Sequence, residues 1–239
     1  VSSVCFDVYE KSAMKVNRRA AAMAGALVIV GMIAGMLSVV PVIEESNYLA
    51  LIPAHKNQII VGAVSQFIMI PAYVGFALYL YPTLRKVNEA LSLGFLGFRL
   101  IAATFHFIGV ILLPLFLVLG QEFAQGGAAH LETMGDLLRT ARDFVNHVAL
   151  IISLGLGDLL LFGILYRSRL VPRWLSAWGL LGAGSAMLAS FLVLVGLTDV
   201  VTPVYLAINA PLALQSLVLA IWLIAKGLDP AREQEAQRV

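Results

Sequence analysis

Six stretches of this chain run for more than 20 residues with at most one charge in each, and this constrains its fold more than any other feature. They cover residues 20–42, 59–81, 94–119, 144–166, 174–197 and 203–225. A bilayer core is about 30 Å thick, and roughly 20 apolar residues in a helix cross it. The runs do not alternate with period two, so they do not read as strands of a membrane barrel. The expected fold is all-α, a polytopic bundle of six transmembrane helices. Composition agrees, with 60% hydrophobic and only 13% charged residues where a soluble domain carries about 25% charged. The first run is too long for a signal-peptide core, and reads as a retained helix. The expected organisation is an N-terminal tail over 1–19, a transmembrane domain over 20–226 and a polar C-terminal tail over 227–239.

Charge placement gives the direction of threading. Lys11, Lys15, Arg18 and Arg19 precede the first run, Arg85 and Lys86 follow the second, Arg167, Arg169 and Arg173 follow the fourth, and Lys226, Arg232 and Arg238 follow the sixth. In a six-span arrangement all of these fall on one side. The other side has Lys56, Arg139 and Arg142 and collects Glu44, Glu45, Glu122, Glu132, Asp136, Asp143 and Asp199. Cytoplasmic loops are the basic ones, so both termini are expected in the cytoplasm. Trp174, Trp178 and Trp222 sit beside the basic segments, at the depth amphipathic rings prefer. The segment HLETMGDLLRTARDF ahead of the fourth run has helical spacing. It either extends that helix outward or lies along the surface.

Two runs contain a charge, and an intramembrane charge costs roughly 2.5–3.5 kcal/mol on insertion scales. Arg99 in the third and Asp158 in the fourth lie at comparable depth on consecutive antiparallel helices, so they are expected to pair or to share a water-filled pocket. Arg99 and His106 are seven residues apart and share a helix face. Asp143, His147, Leu154 and Asp158 follow at offsets of 4, 11 and 15 on one face of the fourth helix, with Asn146 beside it. Gln66 in the second run and Tyr205 and Asn209 in the sixth add polar groups at similar depth. Pro71 and Pro211 lie mid-span in the second and sixth runs, where proline frees a backbone carbonyl and often adjoins a cavity. Duplication or chance would equally produce that matched pair of prolines. The candidate site is therefore an interior polar cavity formed by Gln66, His106, Asp143, Asn146, His147, Tyr205 and Asn209, with Arg99 and Asp158 below. The competing reading is that each group bonds across to a neighbouring helix, at about 0.6 kcal/mol apiece. Gly31 and Gly35 in the first run, and Gly179, Gly182 and Gly184 in the fifth, are small residues suited to close helix packing.

Several classes of chemistry find no support. A single cysteine, Cys5, excludes an internal disulfide framework and a multi-cysteine metal site. His106 and His147 lack a carboxylate or histidine at metal-ligand spacing, and no metal or cofactor is expected. No nucleotide-binding glycine loop or nucleophile elbow is present. A net charge of +2 gives no reason to expect a nucleic-acid partner. The expected partners are the bilayer and a small lipophilic ligand.

Three runs carry a family likeness: LGFRL (Leu96–Leu100), ARDFVNHV (Ala141–Val148) and YRSRLVPRWLSAWGL (Tyr166–Leu180). With them the chain resembles, over nearly its whole length, a bacterial membrane family catalogued as domain of unknown function 4386. The resemblance implies a bacterial inner-membrane protein and carries no activity across. It draws attention to Arg142, Asp143, Asn146 and His147, which coincide with the polar stripe. Three functions stay open on this reading. One is a carrier or a binding and sensing module for a small or lipophilic molecule. Another is an intramembrane enzyme on a lipid-like substrate, with Asp158, His147 or Asp143 as acid or base. The last is a structural or accessory subunit whose polar residues only lock packing.

Overall fold

A computed structural model describes residues 2–126 and 129–229, with side chains over 17–126 and 130–229. The side chains of Cys5, Lys11 and Lys15, and the tail from residue 230 onward, lie outside the described residues. The described chain is helical and contains no strand. The long helices are α1 (Ser2–Leu37), α3 (Lys56–Leu84), α4 (Glu89–Gly126), α6 (Leu150–Ser168), α7 (Arg173–Leu194) and α8 (Pro203–Ala225). A short α2 (Tyr48–Leu51) between two 3₁₀ turns, Pro41–Glu44 and Ile52–His55, links α1 to α3. Helix α5 (Ala129–Asp143) leads into α6 through a π-helical stretch, Phe144–Ala149. Among the described residues, six helical segments are long and apolar enough to cross a membrane. Lipid offers no hydrogen bonds, so each crossing segment must satisfy its own backbone. Their outward faces are apolar, with Leu181 76% and Ile111 65% exposed, as lipid contact requires. This is a multi-pass membrane protein.

Several helices outrun the apolar runs that mark them. The third extends over Glu89–Gly126, and the fourth is one rod of 39 residues, His130–Ser168. At 1.5 Å per residue the rod is roughly 58 Å long, well beyond the ~30 Å core. Hydropathy marks the part of a helix that meets lipid, not where its hydrogen bonding stops. Of the two readings left open for HLETMGDLLRTARDF, the structure shows the outward extension. The α1–α3 link packs on the projecting ends of α4 and α5, burying Ile43, Leu49 and Ile52 with Phe116 and Leu131. Tyr48 donates a hydrogen bond to Asp136 (3.2 Å) and meets the Phe116 ring edge-on at 6.1 Å.

The six long helices form a closed ring. Each packs on the next, α1 on α3, α3 on α4, α4 on α6, α6 on α7 and α7 on α8, and α8 returns to α1. At the end carrying Arg85, Arg169 and Lys226, the basic end, the ring is filled. Ala24, Phe76, Leu80, Phe95, Leu161, Phe162, Leu165, Leu175, Leu219 and Leu223 form one buried cluster there, drawn from all six helices. Small residues set the closest seams. Gly31 and Gly35 face Tyr73 and Met69 of α3, and Gly182 faces the Leu212 backbone of α8. At the closing seam a Cβ on Gly25 would stand 2.6 Å from the Ala220 carbonyl oxygen, a backbone atom that cannot swing aside. Gly25→Val is therefore expected to destabilise the fold by about 1–3 kcal/mol. Gly184→Ala, with nothing within 4 Å, should be neutral or stabilising by up to about 1 kcal/mol. Melting of the two purified variants compares them directly, and equal melting would show that the α1–α8 seam is not close-packed.

Candidate functional site

Away from the filled basic end the ring is hollow. Two adjoining cavities occupy it. The inner one, of about 280 Å³, is reached by all six long helices, through residues such as Met32, Phe76, Arg99, Leu154, Asp158, Ala186 and Asn209. The outer one, of about 540 Å³, lies towards the acidic end, where Glu44, Glu45 and Val201 border it. Tyr73, Ile151 and Leu154 line both cavities and form a waist between them.

Helix spacing accounts for much of the wall. On α3, Gln66, Met69 and Tyr73 recur every three or four residues, so one face looks inward. Pro71 lies among them and cannot donate to the carbonyl of Phe67. On α4, Arg99 and His106 share the inward face as their seven-residue spacing predicts. On the fourth rod the spacing rule needs a correction. The π-helical stretch inserts an i→i+5 turn, which shifts the phase of everything before it. Arg142, five residues ahead of His147, takes the inward position and is buried. Asp143, expected on the inward stripe from an unbroken 3.6-residue period, lies beside Arg142 and not on the cavity wall. The same wide turn lets consecutive residues Asn146 and His147 both border the outer cavity. The Asn146 amide is seated on Gly109 of α4, where a Cβ would collide with it.

The polar groups fall into two sets. Arg99 donates from Nη2 to Asp158, as anticipated from their depth, and both are buried. The guanidinium lies over both Phe76 and Phe95, with ring centres 5.2 and 5.4 Å away, and the two rings meet edge-to-face beside it. In the outer set, Arg142 lies 3.8 Å from Glu44 and 3.6 Å from Asp143. Gln66 Oε1, His106 Nδ1 and Asn146 Oδ1 are buried with no hydrogen-bond partner among the described residues. His147 Nδ1 and the Tyr205 hydroxyl share a hydrogen bond of 3.0 Å, which places Tyr205 behind the wall and His147 on it. Asn209 borders the inner cavity and donates to the Tyr205 carbonyl at 2.9 Å. The single polar cavity expected from the sequence is thus two mostly apolar chambers, with most of the polar side chains in the wall of the outer one and an ion pair in that of the inner one. Tyr73 and Arg142 line the space and were not among the expected site residues. An aromatic within an apolar run reads as core, and Arg142 reads by spacing as a loop charge, so that only the family likeness drew attention to it.

Among the described residues no three His, Cys, Asp or Glu side chains are grouped to hold a metal ion. The chambers suit a molecule with an apolar body and a small polar head, because such pockets are largely apolar with a few convergent polar groups and span about 300–1,000 Å³. No curated protein and no solved structure matches the chain. A family model does match, over residues 23–227, from within α1 to just past α8, so that it takes in part of α1 and all of the other helices of the hollow ring. The chain accordingly belongs to the family described as a domain of unknown function (DUF4386).

Proposed function

We propose that this protein takes a small lipophilic molecule with a polar head into its helical ring, as a carrier or as a binding and sensing module of the bacterial cytoplasmic membrane. The support is the pair of adjoining cavities, which a purely structural bundle would fill. By the positive-inside rule the filled basic end faces the cytoplasm, both termini with it, and the outer cavity faces the opposite side. The ligand then reaches the outer chamber first and extends its apolar part past Tyr73 and Leu154 into the inner one. The binding reading is favoured over an enzymatic one because none of the three candidate acid–base groups stands free on the cavity wall: His147 is bonded to Tyr205, Asp158 to Arg99, and Asp143 lies off the wall, 3.6 Å from Arg142.

Gln66 tests this reading. Its Oε1 is buried without a partner, and such a group costs about 1–3 kcal/mol. Gln66→Met keeps the shape and removes the polar atoms. The expected result is an unchanged or higher melting temperature, together with less co-purifying small molecule by mass spectrometry. A lower melting temperature with the same co-purified content would mean that Gln66 serves packing, and the proposal would fail.

A further inference from the structure

A third cavity, of about 580 Å³, lies at the basic end, remote from the two interior chambers. Its walls are the α6–α7 turn, Arg169–Arg173, and the end of α8 with the segment that follows, Trp222 and Lys226–Asp229. The frame is built. Leu170 and Val171 of the turn are buried in the basic-end core, and the Asp229 backbone N–H donates to the Leu170 carbonyl at 2.9 Å, tying the two walls together. Among the described residues, the charged groups lining the cavity are Arg169, Arg173, Lys226 and Asp229. Arg173 lies over the Tyr166 ring at 5.4 Å and Lys226 over the Trp222 ring at 4.3 Å. Aromatic faces position these two cations without neutralising them. Arg18 of α1 packs against Gly227 at the edge.

Arg169 itself is out of place by conformation. It caps α6 with φ 57 and ψ 25, the left-handed region that glycine occupies most easily. An arginine there puts a guanidinium at the mouth of the cavity at the expense of backbone comfort. The site also lies at interfacial depth, marked by Trp222 and by the stacked pair Trp174 and Trp178 (6.4 Å). Guanidinium and ammonium groups converging at that depth recognise phosphate oxygens, and basic pockets between helix ends hold anionic headgroups.

We propose that this pocket binds the phosphate of an anionic membrane lipid, with Arg169, Arg173 and Lys226 as its ligands. The inference is independent of what the interior chambers hold. The full chain is reconstituted in phosphatidylcholine nanodiscs with and without phosphatidylglycerol, and lipid retention is read by native mass spectrometry. The wild type should retain phosphatidylglycerol in preference to phosphatidylcholine. Each cation removed should weaken retention about fivefold. Arg169→Gly is the decisive variant, because glycine suits the left-handed cap and the fold should melt no lower than the wild type. Lys226→Gln supplies a second reading from the other wall. Equal retention by wild type and both variants overturns the proposal, as does equal retention of the two lipids. Displacement of the bound lipid by inorganic phosphate alone, at similar concentration, would assign the site to a soluble phosphate and also overturn it.

Discussion

Replacing Arg99 with methionine is expected to cost about 3–5 kcal/mol of stability, the penalty for leaving one member of a buried ion pair alone. Arg99 and Asp158 side chains are only 8% and 11% exposed, so little solvent is on hand to take over. Without the guanidinium, Asp158 keeps its carboxylate beside Leu154, Leu161 and Phe162, and must be desolvated as an anion or take up a proton. Phe76 and Phe95 also lose the cation that lies over them. Replacing Asp158 with leucine in the same background should recover most of the loss, since an apolar pair of similar volume often equals or exceeds a buried ion pair. Denaturant titration of the wild type, both single variants and the double variant gives the coupling directly. A single variant as stable as the wild type would show that water reaches the pair and that it contributes nothing to folding.

That pair was legible in the sequence because charge within an apolar run is costly, and helix direction fixes its depth. The six crossings and the basic side were legible for the same reason: lipid and water impose opposite compositions on neighbouring residues. What stayed hidden depends on packing. Nothing in FVNHVA distinguishes a π-helical turn from an α-helical one, yet the one-residue change of phase exchanges Asp143 for Arg142 at the cavity wall. Tyr73 follows Pro71 in a run of apolar residues and looks like any core aromatic until it is found between two chambers. The closure of α8 on α1 rests on Gly25 meeting the Ala220 backbone, a contact between the first and last spans that no local pattern announces. The division of the interior into two chambers is a matter of volumes left unfilled, and periodicity carries no information about them.

Leu154→Trp is expected to separate the two chambers and to weaken ligand retention roughly a hundredfold. Leu154 lines both cavities together with Tyr73 and Ile151, and an indole there would fill the waist while the outer polar groups stay in place. An apolar tail excluded from the inner chamber forfeits about 0.8 kcal/mol for each methylene. Losing about four of them is roughly 3 kcal/mol, which corresponds to that factor. The fold should tolerate the change, because the added atoms enter space of about 280 Å³ that the protein leaves unfilled. Melting temperature and co-purified content should therefore move independently in this variant, with the first near the wild-type value and the second greatly reduced. Retention at the wild-type level would confine the ligand to the outer chamber, among Gln66, His106, Asn146 and Arg142. In that case the length of the molecule would have to match the outer chamber alone, and the ion pair of Arg99 and Asp158 would be a feature of folding and not of binding.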